Sequence, residues 1–373
     1  ARMDLPFADT LLRFAAQRSV KQRPIQSIAA LQTTRIQRVL VVLTTGLGDA
    51  VLSTPVLPTL RAKWPNATIK LWTRAAWAPL FENDVNLDGV IAYAGKYRRF
   101  WSMLTSLKTF APDLVVVLHG NDPDILPLCV LSGARLIVRV PVQGTRFQAF
   151  LSNRAREADQ QILPNVHYIE NRLRVLDALG LVKDTHIPRI YLAPKRVEAM
   201  RDRTTKEFQG RSYWVVHPRA ADAFKNWPLE KITVLVQAAL MRWPELAIVL
   251  TGAAADRPAL ESLAIVDARV YNYAGRLDIA DTAALLANAH AVLAPDTGVA
   301  HLAGALDVPL ISLFAATSSA LLGPRARRTP VQLIQKPRTC TPCLEKKCPY
   351  TPRNCMDQIE VQEVLQALEA VLQ

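Results

Sequence analysis

Short apolar runs alternate with longer stretches of helical periodicity along most of this 373-residue chain. Residues 38–43 (RVLVVL) are a β-branched run of the kind a buried parallel strand uses. A turn holding Gly46 and Gly48 follows, then a helix expected from about Thr54 to Lys63, closed by Trp64-Pro65 because a residue before proline is pushed out of the α region. Further strands are expected at 67–72, 113–118, near 90–93 and near 135–140. The second half repeats the grammar. A strand at 212–216 and a loop lead to Pro228, placed for the first turn of a helix that runs to Arg242 and stops at Trp243-Pro244. Strands at 246–250, 291–295 and 309–314 complete the pattern. Such alternation predicts an α/β protein with two Rossmann-like domains, each a parallel sheet covered by helices.

Residues 4–23 precede this pattern. Leu5, Ala8, Leu12 and Ala15 share one helical face with arginines interleaved, so a basic amphipathic helix is expected, packed on the body or lying on a membrane. The organisation expected is therefore a basic extension over 1–35, an N-terminal domain over 36–200 and a C-terminal domain over 201–373 that ends in a helix.

Half of the residues are hydrophobic and 21% are charged, which excludes a disordered polymer. No apolar stretch reaches the roughly 18 residues of a membrane-spanning helix, and no signal-peptide pattern is present. A cytoplasmic protein is expected, with peripheral contact to the inner membrane left open. The net charge of +13 is concentrated. Residues 1–38 hold seven basic side chains against Asp4 and Asp9, and residues 323–355 hold eight against Glu345. Two such segments attract a polyanion, whether nucleic acid, membrane surface or phosphorylated substrate, or serve as a solvated face.

Three loops at strand ends carry candidate chemistry. Thr45, Gly46, Gly48 and Asp49 follow the first strand. The glycines allow close ligand approach, and Asp49 is either a helix cap or a general base. The spacing lacks the third glycine of a dinucleotide fingerprint. The second loop, HPRAADAFKNWP at 217–228, brings Arg219 and Lys225 close to a helix start, where a cation and backbone N–H groups suit a phosphate. The third is Asp296-Thr297-Gly298 leading into VAHLAGAL, with His301 either a core histidine or part of the site. Thr297 and Gly298 can present a hydroxyl and N–H groups to phosphate, while Asp296 is expected to contact sugar hydroxyls or cap the helix. Neither a nucleophile elbow nor a P-loop occurs.

Four of five cysteines cluster as Cys340-x2-Cys343-x4-Cys348-x6-Cys355. In a reducing compartment such a cluster reads as a structural zinc or iron site, with two disulfides or free thiols as alternatives. Cys129 reads as a core residue.

The segments GLGDAVLSTPVL, KNWP and DTGVAHLAGAL, in that order, resemble glycosyltransferase family 9, the ADP-heptose:lipopolysaccharide heptosyltransferases. The resemblance implies a GT-B fold of two Rossmann-like domains facing a cleft, and an inverting transfer without a catalytic metal. It implies a nucleotide-sugar donor, ADP-heptose, and an anionic glycolipid or glycan acceptor such as the lipopolysaccharide inner core. By that resemblance Asp49 is the catalytic base, and Thr45, Gly46 and Gly48 form the acceptor-side loop. Lys225 holds the donor diphosphate, and Asp296, Thr297, Gly298 and His301 form the donor turn, with Arg219 and Thr317 beside it. Two departures are present: HPRA at 217–220 where a Pro-Gly start is usual, and FAAT at 314–317 where FGxT is usual. Both leave the donor's identity open. A nucleic-acid binder with a cysteine-metal knuckle accounts for the charge and the cysteines but not for Asp49, Lys225 and DTG at strand ends, so nucleic acid is disfavoured as a partner. A catalytically silent scaffold is the remaining alternative.

Overall fold

The computed structural model describes residues 5–140, 148–153, 163–264, 267–341, 343–350 and 355–372. Arg2, Asp4 and Arg353, counted in the two basic segments, lie outside the described residues, as does the side chain of Leu5. The chain divides into two units, Ala1–His186 and Ile187–Gln373. The boundary drawn at residue 200 falls inside a helix of the second unit, α7 (Pro194–Glu207), which packs on α10 (Ile279–Ala287) of the same unit.

The first unit is built on a five-stranded, all-parallel sheet. In chain order its strands are β1 (Arg38–Leu43), β2 (Thr68–Arg74), β3 (Gly89–Tyr93), β4 (Leu114–His119) and β5 (Leu136–Arg139). Their spatial order is β3-β2-β1-β4-β5. The sequence-derived strands agree with these to within two residues. β1 and β4 are central, and five residues of each are wholly buried, which is why both read as continuous apolar runs. The β1–β4 register shifts between Val42 and Leu43, so that Leu43 pairs with His119.

The helix expected from about Thr54 to Lys63 is α3 (Val56–Lys63), and a further short helix, α2 (Leu47–Leu52), precedes it, the two separated at Pro55. α1 (Leu5–Gln22) packs on α5 (Ile125–Leu131) through Ala8, Leu12 and Ala16. Ala16 replaces the expected Ala15, which is exposed. Cys129 is fully buried, as a core residue should be.

The second unit carries a six-stranded parallel sheet. Its strands are β6 (Ser212–Val216), β7 (Leu246–Leu250), β8 (Val270–Asn272), β9 (Ala291–Pro295), β10 (Leu310–Phe314) and β11 (Val331–Gln335). The spatial order is β11-β10-β9-β6-β7-β8. Four of them match the apolar runs read from sequence. β8 has three residues and β11 is an edge strand that is partly exposed, so neither shows a strong run. α8 (Leu229–Arg242) starts after Pro228 and ends at Trp243, whose backbone (φ −122°, ψ 88°) matches that of Trp64 (φ −123°, ψ 69°) at the end of α3. The repeated Trp-Pro therefore stops two helices in the same way.

In each sheet the strand order reverses at one point, between β1 and β4 in the first unit and between β6 and β9 in the second. Open α/β sheets bind ligands beyond the carboxyl ends of the strands at that switch point. The loops after β1, β4, β6 and β9 are therefore the places to look for chemistry.

Candidate functional site

In the first unit the loop after β1 runs Thr44–Gly46 and enters α2, which places Asp49 in the helix's first turn. Asp49 does not cap it: Gly46 is the N-cap residue and no side-chain cap bond is made there. The Asp49 carboxylate instead meets groups from three other places. Arg172 of α6 (Tyr168–Ala178) donates from Nη2 to Oδ1 at 3.1 Å, Thr45 donates its hydroxyl to Oδ2 at 3.2 Å, and His119 Nε2 stands 3.9 Å from Oδ2. Arg172 is itself fixed by a bond from Nη1 to the Leu118 carbonyl at 3.3 Å, and its side chain is only 9% exposed. The carboxylate remains one-third exposed, so it faces solvent while its supports do not.

His119 ends β4. Burial, and then the positive charge of Arg172, push its imidazole down to about 4 against the opposing pull of Asp49. It is neutral at neutral pH. The loop is pinned by Trp77, whose Nε1 donates to the Thr45 carbonyl at 2.9 Å. Around the same sheet edge Arg139 donates to Asn121 Oδ1 at 2.9 Å, and Tyr93 donates its hydroxyl to Asp124 at 2.8 Å. Asp124 is buried, which raises its carboxyl to about 6.

Gly46 and Gly48 were expected to permit a tight turn. Neither takes a left-handed conformation, and Gly46 has φ −66°, ψ 162°. A Cβ at Gly46 would meet nothing within 4 Å. The glycine therefore leaves the backbone open rather than allowing it to bend.

In the second unit the loops after β6 and β9 bring Lys225 and Asp296 together, though 71 positions separate them. Lys225 Nζ donates to Asp296 Oδ2 at 2.8 Å, and the Thr317 hydroxyl donates to the same oxygen at 2.8 Å. Asp296 is 6% exposed, so the ammonium and the hydroxyl answer a carboxylate that burial would otherwise penalise. The ion pair takes one of the three Nζ donors. Asp296 does not cap α11 (Gly298–Ala305), the role sequence had offered it. Thr297 is the cap, its hydroxyl accepting the Ala300 N–H at 3.3 Å. The N–H groups of Gly298 and Val299 remain unspent by the helix, beside the ammonium's carboxylate partner.

His301, buried in α11, places Nε2 3.9 Å from Asp296 Oδ1. Arg219 stands apart from this cluster, with Nε 3.6 Å from Asp256. His217 Nδ1 lies 3.0 Å from the Thr251 hydroxyl, and loss of water around the ring pushes it down to about 4. The small residues of α11 were expected to allow close approach to sheet or ligand. What approaches is a chain segment: a Cβ at Gly304 would stand 2.8 Å from the Arg325 carbonyl oxygen.

The metal site expected at the cysteines is not supported. All five cysteines are free thiols. Among the described residues no group of three or more His, Cys, Asp or Glu side chains is arranged to hold a metal ion. Cys355 is buried in the apolar core of the second unit, with Cys343 and Cys348 packed against that core. Burial raises the Cys355 thiol, and the nearby Cys343, Cys340 and Cys348 raise it further.

Arg172 and His119 escaped the sequence reading. His119 carried a signal, a polar residue closing the apolar run DLVVVL at a strand's carboxyl end. Arg172 carried none, being one arginine among several in an ordinary amphipathic helix.

Residues 137–353 match the family model described as glycosyltransferase family 9 (heptosyltransferase). The chain belongs to glycosyltransferase family 9. It is similar to a lipopolysaccharide heptosyltransferase 3 of Escherichia coli, 27% identical over 291 residues that cover 72% of this chain and 81% of that one. A lipopolysaccharide heptosyltransferase 1 of Pseudomonas aeruginosa is 38% identical over 111 residues, 26% of this chain and 31% of that protein. Among solved structures, a glycosyl transferase family 9 protein from Veillonella parvula has a TM-score of 0.76 at 17% identity, covering 90% of this chain and 97% of that one. The E. coli ADP-heptose lps heptosyltransferase II has a TM-score of 0.71 at 20% identity, covering 90% and 98%. These likenesses establish the fold as that of the GT-B heptosyltransferases. No described helix is long and apolar enough to cross a membrane.

Proposed function

We propose that this family 9 transferase moves a heptose from ADP-heptose to a hydroxyl of an anionic glycan, the lipopolysaccharide inner core, with inversion at the anomeric carbon. The observation that carries the reading is the Lys225–Asp296–Thr317 cluster at the switch point of the second sheet, with unspent N–H groups of α11 beside it. An ammonium held at a fixed place, together with backbone N–H donors, suits a diphosphate, and it suits best the leaving diphosphate whose charge grows as the glycosidic bond breaks. The E. coli heptosyltransferase WaaC, whose solved form carries ADP, has a TM-score of 0.65 at 20% identity and supports the same choice of nucleotide.

In the first unit Asp49 takes the proton of the acceptor hydroxyl as that oxygen attacks the anomeric carbon opposite the leaving group. A positioned base contributes on the order of 10²–10⁴-fold. Arg172 and Thr45 hold the carboxylate, and His119, neutral beside it, adds no competing charge. Thr297 and Gly298 line the donor side with Lys225, while Thr317 and His301 support Asp296. Arg219, away from the cluster at Asp256, is assigned to the periphery of the nucleotide site. The route assigns charge neutralisation to Lys225 and the α11 N–H groups. The protein works at the cytoplasmic face of the inner membrane, where a lipid-borne acceptor is presented.

Thermal shifts with ADP, UDP, GDP and dTDP test the donor assignment. A ligand at about 100 times its Kd adds roughly 2.7 kcal/mol of stability. Stabilisation by ADP alone, lost in Lys225→Ala, is the expected result; stabilisation by another nucleotide replaces the donor, and none by any of the four removes the assignment.

A further inference from the structure

The first unit holds a cavity of about 500 Å³ at the opposite end of its sheet from Asp49. It is lined by Arg23 just past α1, Lys108 in the last turn of α4 (Phe100–Phe110), Arg38 at the start of β1 and Arg135 ahead of β5. Asp113, ahead of β4, is the one carboxylate among the lining residues. β1 begins at this cavity with Arg38 and ends at the Thr44–Gly46 loop, so the two places lie about 20 Å apart along the strand.

Four cations face one acid, and the acid is already engaged. Asp113 Oδ2 accepts the N–H groups of Gln37 and Arg38 at 2.9 Å each, and Oδ1 lies 3.3 Å from Arg38 Nη2. Arg23, Lys108 and Arg135 have no carboxylate within ion-pair distance among the described residues. A cation at a helix's C-terminal end complements the helix dipole, which accounts for Lys108 in the last turn of α4 and for Arg23, whose N–H donates to the Ser19 carbonyl at 2.8 Å at the end of α1. Arg38 and Arg135 lead into strands, so that explanation does not reach them. Cations gathered around a concave space without counter-charges are what a phosphate group recognises.

We propose that this cavity is an anion site for a phosphate-bearing ligand, separate from the donor and acceptor sites. Both an anionic phospholipid headgroup and a soluble phosphate ester carry that chemistry. The preceding helix favours neither by charge alone, but its outer face sets Leu11 (49% exposed) and Phe14 (63% exposed) beside Arg18 and Lys21 at helical spacing, an arrangement suited to a lipid surface.

The test measures binding to phosphatidylglycerol vesicles, to phosphatidylcholine vesicles and to glycerol 3-phosphate in solution. It compares wild type, Arg23→Gln/Arg135→Gln, Lys225→Ala, and a control that removes two charges elsewhere, Lys63→Gln/Lys206→Gln. All four control and cavity positions are exposed and make no ion pair among the described residues, so folding is retained, with circular dichroism as the check. The expected result is binding to phosphatidylglycerol or to glycerol 3-phosphate that survives Lys225→Ala and the control. In the cavity variant it weakens by about thirtyfold, as the loss of two surface cations gives. Binding to the vesicles alone identifies a lipid headgroup, and binding to the ester alone a soluble ligand. Equal weakening in the control and the cavity variant, unchanged binding in the cavity variant, or no binding by wild type overturns the proposal.

Discussion

Lys225 and Asp296 form a 2.8 Å ion pair between loops that leave two neighbouring parallel strands, at the point where the strand order of the second sheet reverses. The pair is asymmetric in burial, with Asp296 at 6% exposure and Lys225 at 20%. The acid is thus the anchor and the base is the end that a ligand can reach.

Removing the lysine alone leaves a buried carboxylate with the Thr317 hydroxyl and the more distant His301 ring to answer it. Lys225→Met should lower apo stability by about 1–3 kcal/mol. Adding Asp296→Asn should recover most of that loss while leaving nucleotide binding absent. Chemical denaturation of the two variants, read beside the ADP thermal shift, checks both parts; full ADP binding by the double variant would contradict the role given to Lys225.

Arg172 touches Asp49 from a helix far along the chain and is tied to the Leu118 carbonyl. Replacing it with methionine should leave KM for the donor nearly unchanged and lower kcat by roughly 10–100-fold, the scale of a misplaced reacting group. Steady-state kinetics decides, and unchanged kcat would remove Arg172 from the support of the base.

His217 has a folded-state value of about 4, below the ordinary 6.5 of a free imidazole. A depressed value means the unfolded chain binds the proton more readily. The histidine therefore adds no penalty above pH 6.5, and stability is lost as pH falls from there through 4. Between pH 7 and pH 5 the loss traceable to this one group is about 2 kcal/mol. His217→Asn should flatten the pH dependence by that amount in urea titrations; an unchanged slope would contradict it.

Two glycines should respond oppositely to alanine. At Gly46 the added methyl meets open space in an ordinary backbone conformation, so Gly46→Ala should change stability by no more than about 1 kcal/mol and act on turnover. At Gly304 the methyl meets the Arg325 carbonyl, and Gly304→Ala should cost about 1–3 kcal/mol. Melting curves and initial rates on the two proteins separate the cases.

Much of the fold was legible because both sheets are parallel and buried. β1, β4, β6, β7, β9 and β10 are continuous apolar runs with few alternatives. β11 alternates partly exposed positions at an edge, and β8 is too short to register. Asp49, Lys225 and Asp296 were visible because each follows such a run. What each carboxylate does was not visible: whether Asp296 caps α11 or holds Lys225 depends on a contact across 71 positions, and Arg172 reaches Asp49 across 123. The cysteine cluster was not decided by its spacing either: the burial of Cys355 in the second core is a tertiary fact.

The most direct test is transfer itself. Wild-type protein and Asp49→Asn are given ADP-heptose and a lipopolysaccharide core lacking the heptose, and ADP release is followed with the mass and anomeric configuration of the product. Transfer with inversion by wild type, reduced on the order of 10²–10⁴-fold in Asp49→Asn, is the predicted result. Absence of transfer by folded wild type, retention of configuration, or full activity in Asp49→Asn would contradict the account.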